Sequence, residues 1–128
     1  TDKDIRPGDI LLVRFGYINQ YENMREDKRA QLDALYKKQK PENIGIEPSE
    51  ALLRFLWEKK VSAVAGDTRS FEVWPCTQAR WHLHEWLLAG WGMPIGELFD
   101  LEKLSRACSE AERYTFFFTS APMNVSDA

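Results

Sequence analysis

His82 and His84, the two histidines of the chain, stand on either side of Leu83 in a tryptophan-rich stretch, and Glu97 follows beyond a glycine–proline break. Imidazole and carboxylate are donor types that bind zinc and manganese. A helix is expected over residues 78–90. Its period places Trp81, Leu83, His84, Trp86, Leu87 and Leu88 on one broad arc and His82 and Glu85 on the opposite side. His84 is therefore expected to point inward, and His82 toward solvent or a neighbouring segment. A lone inward histidine is more often a hydrogen-bonded core residue than a ligand. Asp67 directly follows an apolar run, and ligands of open α/β sheets gather just past strand ends. A turn or cap aspartate would occupy the same place. Phe71, Trp74, Trp86 and Trp91 either cover a core edge or line a pocket.

Those residues need a scaffold, and the chain offers one. Its 128 residues suit a single domain over 1–128. The composition, 44% hydrophobic and 29% charged, is that of a globular chain. The net charge of −3 provides no basic footprint for nucleic acid. The apolar runs are too short to span a bilayer. Residues 10–15 and 61–65 read as short buried strands bounded by turn residues. Between them, Pro48 and Ser49 open a helix whose stripe is Ala51, Leu52, Phe55 and Leu56, widened by Trp57. Strand, helix, strand in this order predicts a βαβ crossover with parallel neighbours. Residues 18–47 are dense in charge and read as a surface excursion, with Leu32, Leu35 and Tyr36 on one helical face.

Beyond the histidine helix, residues 93–96 are expected to be extended. Residues 98–108 read as a helix with Asp100 at its N-cap, and residues 114–119 as the strongest strand in the chain. Cys76 and Cys108 have neither metal-finger nor disulfide-framework spacing. Two free thiols in a reducing, cytoplasmic setting are expected, although secretion and a single disulfide stay open. No glycine-rich phosphate loop and no Gly-x-Ser-x-Gly elbow is present.

Three blocks carry a family resemblance. They are Pro7-Gly8-Asp9-Ile10-Leu11-Leu12-Val13-Arg14-Phe15-Gly16-Tyr17, Val61-Ser62-Ala63-Val64-Ala65-Gly66-Asp67-Thr68-Arg69-Ser70, and His84-Glu85-Trp86-Leu87-Leu88 followed by Pro94-Ile95-Gly96-Glu97-Leu98. In this order they resemble the cyclase family of metal-dependent hydrolases, which includes kynurenine formamidases. Phe71-Glu72-Val73-Trp74-Pro75 looks most like fungal members. The resemblance implies an incomplete α/β domain of the swivelling β/β/α type, a mixed sheet with flanking helices.

It further implies that His84 and Glu97 are metal ligands for zinc or manganese. Asp67, Phe71, Trp74 and Trp86 would face a small-molecule substrate. Metal-activated water would attack an amide, formamide or lactone carbonyl. The family's H-x-G-T-H-x-D block, which lies upstream of the first match, is missing. The chain thus resembles a C-terminal half with an incomplete ligand set, inactive until a companion chain or an N-terminal half supplies the rest. Dimers are common in the family, so a homo-oligomer is a further expectation, and neither nucleic acid nor membrane is an expected partner. The competing readings are a non-catalytic binding protein with an aromatic-lined pocket and a purely structural fragment.

Overall fold

A computed structural model describes residues 5–121. Three parallel strands, β1 (Ile10–Val13), β2 (Ala63–Gly66) and β3 (Ile95–Gly96), form one sheet in the order β1-β2-β3. β1 and β2 run in register from Ile10 opposite Ala63 to Val13 opposite Gly66. β3 pairs Ile95 with Val64 and Gly96 with Ala65. The expected parallel crossover and the mixed α/β architecture are both present. β2 is the central strand and is buried from Val64 onward, whereas β1 and β3 are partly exposed. Ile10 is 40% exposed, so β1 is a less buried strand than its apolar sequence suggests. Parallel sheets are usually covered on both faces, and the described residues cover this one incompletely.

The crossover helix α3 (Glu50–Glu58) starts where the proline and serine predict, with Ser49 Oγ accepting the Leu52 N–H at 3.2 Å. Its buried pair is Leu53 and Leu56, one turn apart, with Leu52 and Phe55 partly buried beside them. These side chains meet Val61, Val64, Phe71, Leu83, Leu87 and Met93 in one core. Trp57 does not widen the buried stripe. It is exposed and leans on Trp91, with ring centroids 5.1 Å apart.

The charged segment forms α1 (Tyr17–Glu22) and α2 (Glu26–Tyr36), neither with a buried residue, in keeping with a surface excursion. α1 is tied to α4 (Glu102–Glu110). Arg14 grips Glu102 with two bonds of 2.8 and 3.0 Å, and Asn19 Nδ2 donates to the same carboxylate at 3.1 Å. Asp100 is not the N-cap that the sequence predicts: α4 begins at Glu102 with Leu101 at its N-cap, and Asp100 Oδ1 accepts the Glu102 N–H from one residue further back.

Two further sequence expectations fail. Residues 114–119 form no strand, and Phe117 is 91% exposed. Strand propensity reflects packing on a neighbouring strand, and the described residues pair none with this segment. Nor is there one regular helix over residues 78–90. A 3-10 turn (Ala79–Trp81) ends at His82, whose extended ψ of 110° breaks the chain direction. Helical backbone resumes at Leu83 and widens to a π-helix over Glu85–Trp91, closed by Gly92 in the left-handed region at φ 66°.

Candidate metal centre

The break at His82 decides the geometry of the histidines. With His82 outside the helix, the uniform projection that sent it away from His84 does not apply. Both imidazoles face one buried carboxylate, with ring centroids 5.8 Å apart. That carboxylate is Glu72, which has no exposed surface. Sequence reasoning gave it no role, although an acidic residue between Phe71 and Val73 in an apolar segment is an unusual place for a charge.

Glu72 is placed by backbone pairing. Ile46 bridges to Glu72 and Asn43 to Trp74, with Asn43 and Trp74 exchanging hydrogen bonds of 2.8 and 3.0 Å. Gly45 lies inside this pairing, and a Cβ there would overlap the Glu72 backbone. A glycine is therefore required for the close approach. The carboxylate accepts three hydrogen bonds from the segment it faces. Oε2 accepts the Leu83 N–H at 2.8 Å, and Oε1 accepts the His84 N–H at 3.0 Å. Oε1 also lies 2.6 Å from His84 Nδ1. An ionised carboxylate only accepts, so this contact places a ring proton on Nδ1, and Nε2 is the nitrogen turned toward Glu97.

Nε2 of His84 faces Glu97 Oε1 at 3.2 Å. Glu97 arrives there because the chain after β3 stays bonded to the turn after β2. Leu98 N–H donates to Thr68 O at 3.0 Å and Phe99 N–H to Gly66 O at 3.1 Å. Glu97 Oε1 also accepts the Phe71 N–H at 3.2 Å. His84 and Glu97 are each about one-third exposed, so their facing atoms are supported from below and reachable from above. Two adjacent ligands of a tetrahedral zinc, with bonds of about 2.0–2.1 Å, stand roughly 3.3 Å apart. The His84–Glu97 separation is that of two ligands on one divalent metal as well as that of a hydrogen bond, and Glu72 supplies the outer hydrogen bond that a ligating histidine commonly makes.

The other predicted site residues are dispersed. Asp67 is fully buried, and its two oxygens accept the backbone N–H groups of Phe15, Gly16 and Tyr17 at 2.7, 2.7 and 3.0 Å. It clamps the β1–α1 connection to the end of β2. Phe71 is in the core at 1% exposure. Trp74 is partly exposed, its ring 6.3 Å from that of His82. Trp86 donates its indole N–H to Arg80 O at 2.9 Å and lies between Trp81 and Trp91. Trp91 lines a separate cavity of about 370 Å³ with Leu56, Trp57, Val61 and Met93. Cys76 and Cys108 are free thiols, and Cys76 stands close to Glu72 and His82. Among the described residues no helix is long and apolar enough to cross a membrane.

No family model matches the chain, and no curated protein does. Among solved structures, the crystal structure of a novel cyclase superposes on 97% of this chain with a TM-score of 0.73 and 27% sequence identity. The chain spans 38% of that cyclase's length. In fold and sequence this chain is thus similar to that cyclase.

Proposed function

We propose that this chain is one portion of a metal-dependent hydrolase acting on an amide, formamide or lactone carbonyl. The observation that carries the reading is the facing of His84 Nε2 and Glu97 Oε1, with the imidazole oriented from behind by Glu72. His84 and Glu97 would hold a zinc or manganese ion. Such an ion, when bound, supplies a Lewis acid and a water acidic enough to attack at neutral pH.

Each side chain has a distinct task in that chemistry. Glu72 accepts the Nδ1–H and so orients the ring with Nε2 toward the metal position. The Phe71 N–H fixes Glu97 Oε1 and restrains rotation of its carboxylate. Two ligands leave a catalytic ion short of the three protein donors such sites commonly have. The remaining donors would come from an N-terminal portion or a companion chain, and a homodimer would suit a fold that leaves β1 and the aromatic segment at 114–119 exposed. Because the family that the chain resembles includes kynurenine formamidases, aryl formamides are the first substrates to try. A cytoplasmic setting accords with the free thiols.

A second reading, a binding protein without chemistry, draws on the tryptophan cluster of Trp57, Trp81, Trp86 and Trp91. The two readings separate in one experiment. The purified protein, with any polypeptide that copurifies, is assayed on an aryl formamide and a lactone with zinc or manganese. Turnover that needs the metal and disappears in His84→Ala is expected. Turnover indifferent to chelator or to that substitution contradicts the hydrolase reading, and tight retention of an aromatic ligand without turnover favours the second.

A further inference from the structure

Glu72, Cys76 and His82 bring a carboxylate oxygen, a thiol sulfur and an imidazole nitrogen within 4.8 Å of one another. Nε2 of His82 is buried and has no hydrogen-bond partner. It lies 3.3 Å from Glu72 Oε1, close but without the alignment of a hydrogen bond. A buried ring nitrogen left this way costs free energy unless something satisfies it. The thiol is half-buried, so a cation can reach the group from solvent.

We infer that Glu72, Cys76 and His82 form a second divalent-metal site, of thiolate–imidazole–carboxylate type, separate from the His84–Glu97 pair. Sulfur with nitrogen selects zinc or cobalt over magnesium, calcium or manganese. The donors close on bonds of about 2.0–2.3 Å by side-chain rotation, leaving a fourth position for water. Binding converts the Cys76 thiol to thiolate and releases its proton to solvent. Thiolate and carboxylate together then neutralise the dication, and the ion satisfies His82 Nε2. The consequence is mechanical. The loop carrying Glu72 and Cys76 is fastened to the junction at His82, whose ring lies 5.8 Å from that of His84.

The site does not depend on the hydrolase reading, and its test is kept apart from it. Cobalt(II) is added to the reduced full chain while near-ultraviolet and visible absorption are followed. Wild-type protein is expected to develop a thiolate-to-cobalt charge-transfer band at one equivalent. Cys76→Ser, which conserves size, should abolish the band while circular dichroism shows the fold intact. His82→Ala should weaken cobalt affinity by about tenfold or more, since loss of outer-shell partners alone costs that much. Glu97→Gln should leave the band unchanged. Absence of the band in folded wild-type protein, its survival in Cys76→Ser, or its loss in Glu97→Gln would each overturn the assignment.

Discussion

Glu72 Oε1 lies 2.6 Å from Nδ1 of His84, and the same carboxylate accepts the backbone N–H groups of both Leu83 and His84. One buried side chain therefore fixes where the wide helix begins and which way its histidine points. Glu72→Ala should remove acceptors from three donors in a partly buried setting. The expected loss of stability is about 3 kcal/mol or more, since unsatisfied buried groups cost roughly 1–3 kcal/mol each. Glu72→Gln keeps an acceptor and should lose less, while lowering metal affinity by about tenfold to a hundredfold, as loss of outer-shell partners does. Chemical denaturation and metal titration of the two variants check both statements. Equal metal affinity in Glu72→Gln and wild type would show that the carboxylate does not tune His84.

Gly45 is the backbone counterpart of that arrangement. A methyl group there meets the Glu72 main chain. Gly45→Ala should separate the two segments and cost about 1–3 kcal/mol, the usual range for overpacking. Amide exchange at Leu83 and His84 should rise with it, because their acceptor moves. Unchanged exchange at those two amides would mean that Gly45 does not position the carboxylate.

Asp67 is expected to act on the scaffold. Asp67→Asn leaves one acceptor oxygen for three backbone donors and places an amide N–H₂ against N–H groups. A loss of about 2 kcal/mol is expected, read by thermal or urea unfolding, with substrate affinity per folded molecule unchanged. A variant of full stability with weakened substrate binding would instead make Asp67 a binding residue.

The Arg14–Glu102 pair gives the fold a pH dependence. The hydrogen bond from Arg14 holds the Glu102 carboxyl below its usual value, with the Arg14 charge and the Asn19 amide adding to the effect. The unfolded chain therefore binds this proton more readily than the folded one. The pair's contribution is complete above the ordinary carboxyl value and is lost as pH falls through the lowered folded value. Both side chains are partly exposed, so salt should weaken the effect. Acid unfolding of Glu102→Gln should show a shallower dependence on pH than wild type below the carboxyl range. Superimposable curves would assign the acid sensitivity to other carboxylates.

The scaffold was readable where one period ran without interruption. The apolar runs that became β1 and β2, and the proline–serine start of α3, lie where pattern and capping place them. The inward expectation for His84 rests on a 3.6-residue period, but only Leu83 and His84 are α-helical, and in the π-helix that follows Trp86 and Leu88 of the predicted inward arc are exposed. The same projection put His82 on the wrong side, because a fixed 100° step cannot describe a 3-10 turn, a break and a wide helix in succession. Glu72 and Cys76 were not legible as site residues. Their neighbourhood depends on pairing with residues 43–46, a contact no local pattern encodes. Residues 114–119 carry the composition of a strand, but composition cannot supply the neighbouring strand against which it would form.

The pairing of His84 with Glu97 at a metal is tested most directly by anomalous diffraction from crystals of the protein grown with zinc or manganese. An anomalous peak within about 2.3 Å of both His84 Nε2 and Glu97 Oε1 is the expected result, absent from His84→Ala crystals treated identically. Well-ordered crystals in which neither metal gives a peak between those two atoms would contradict it.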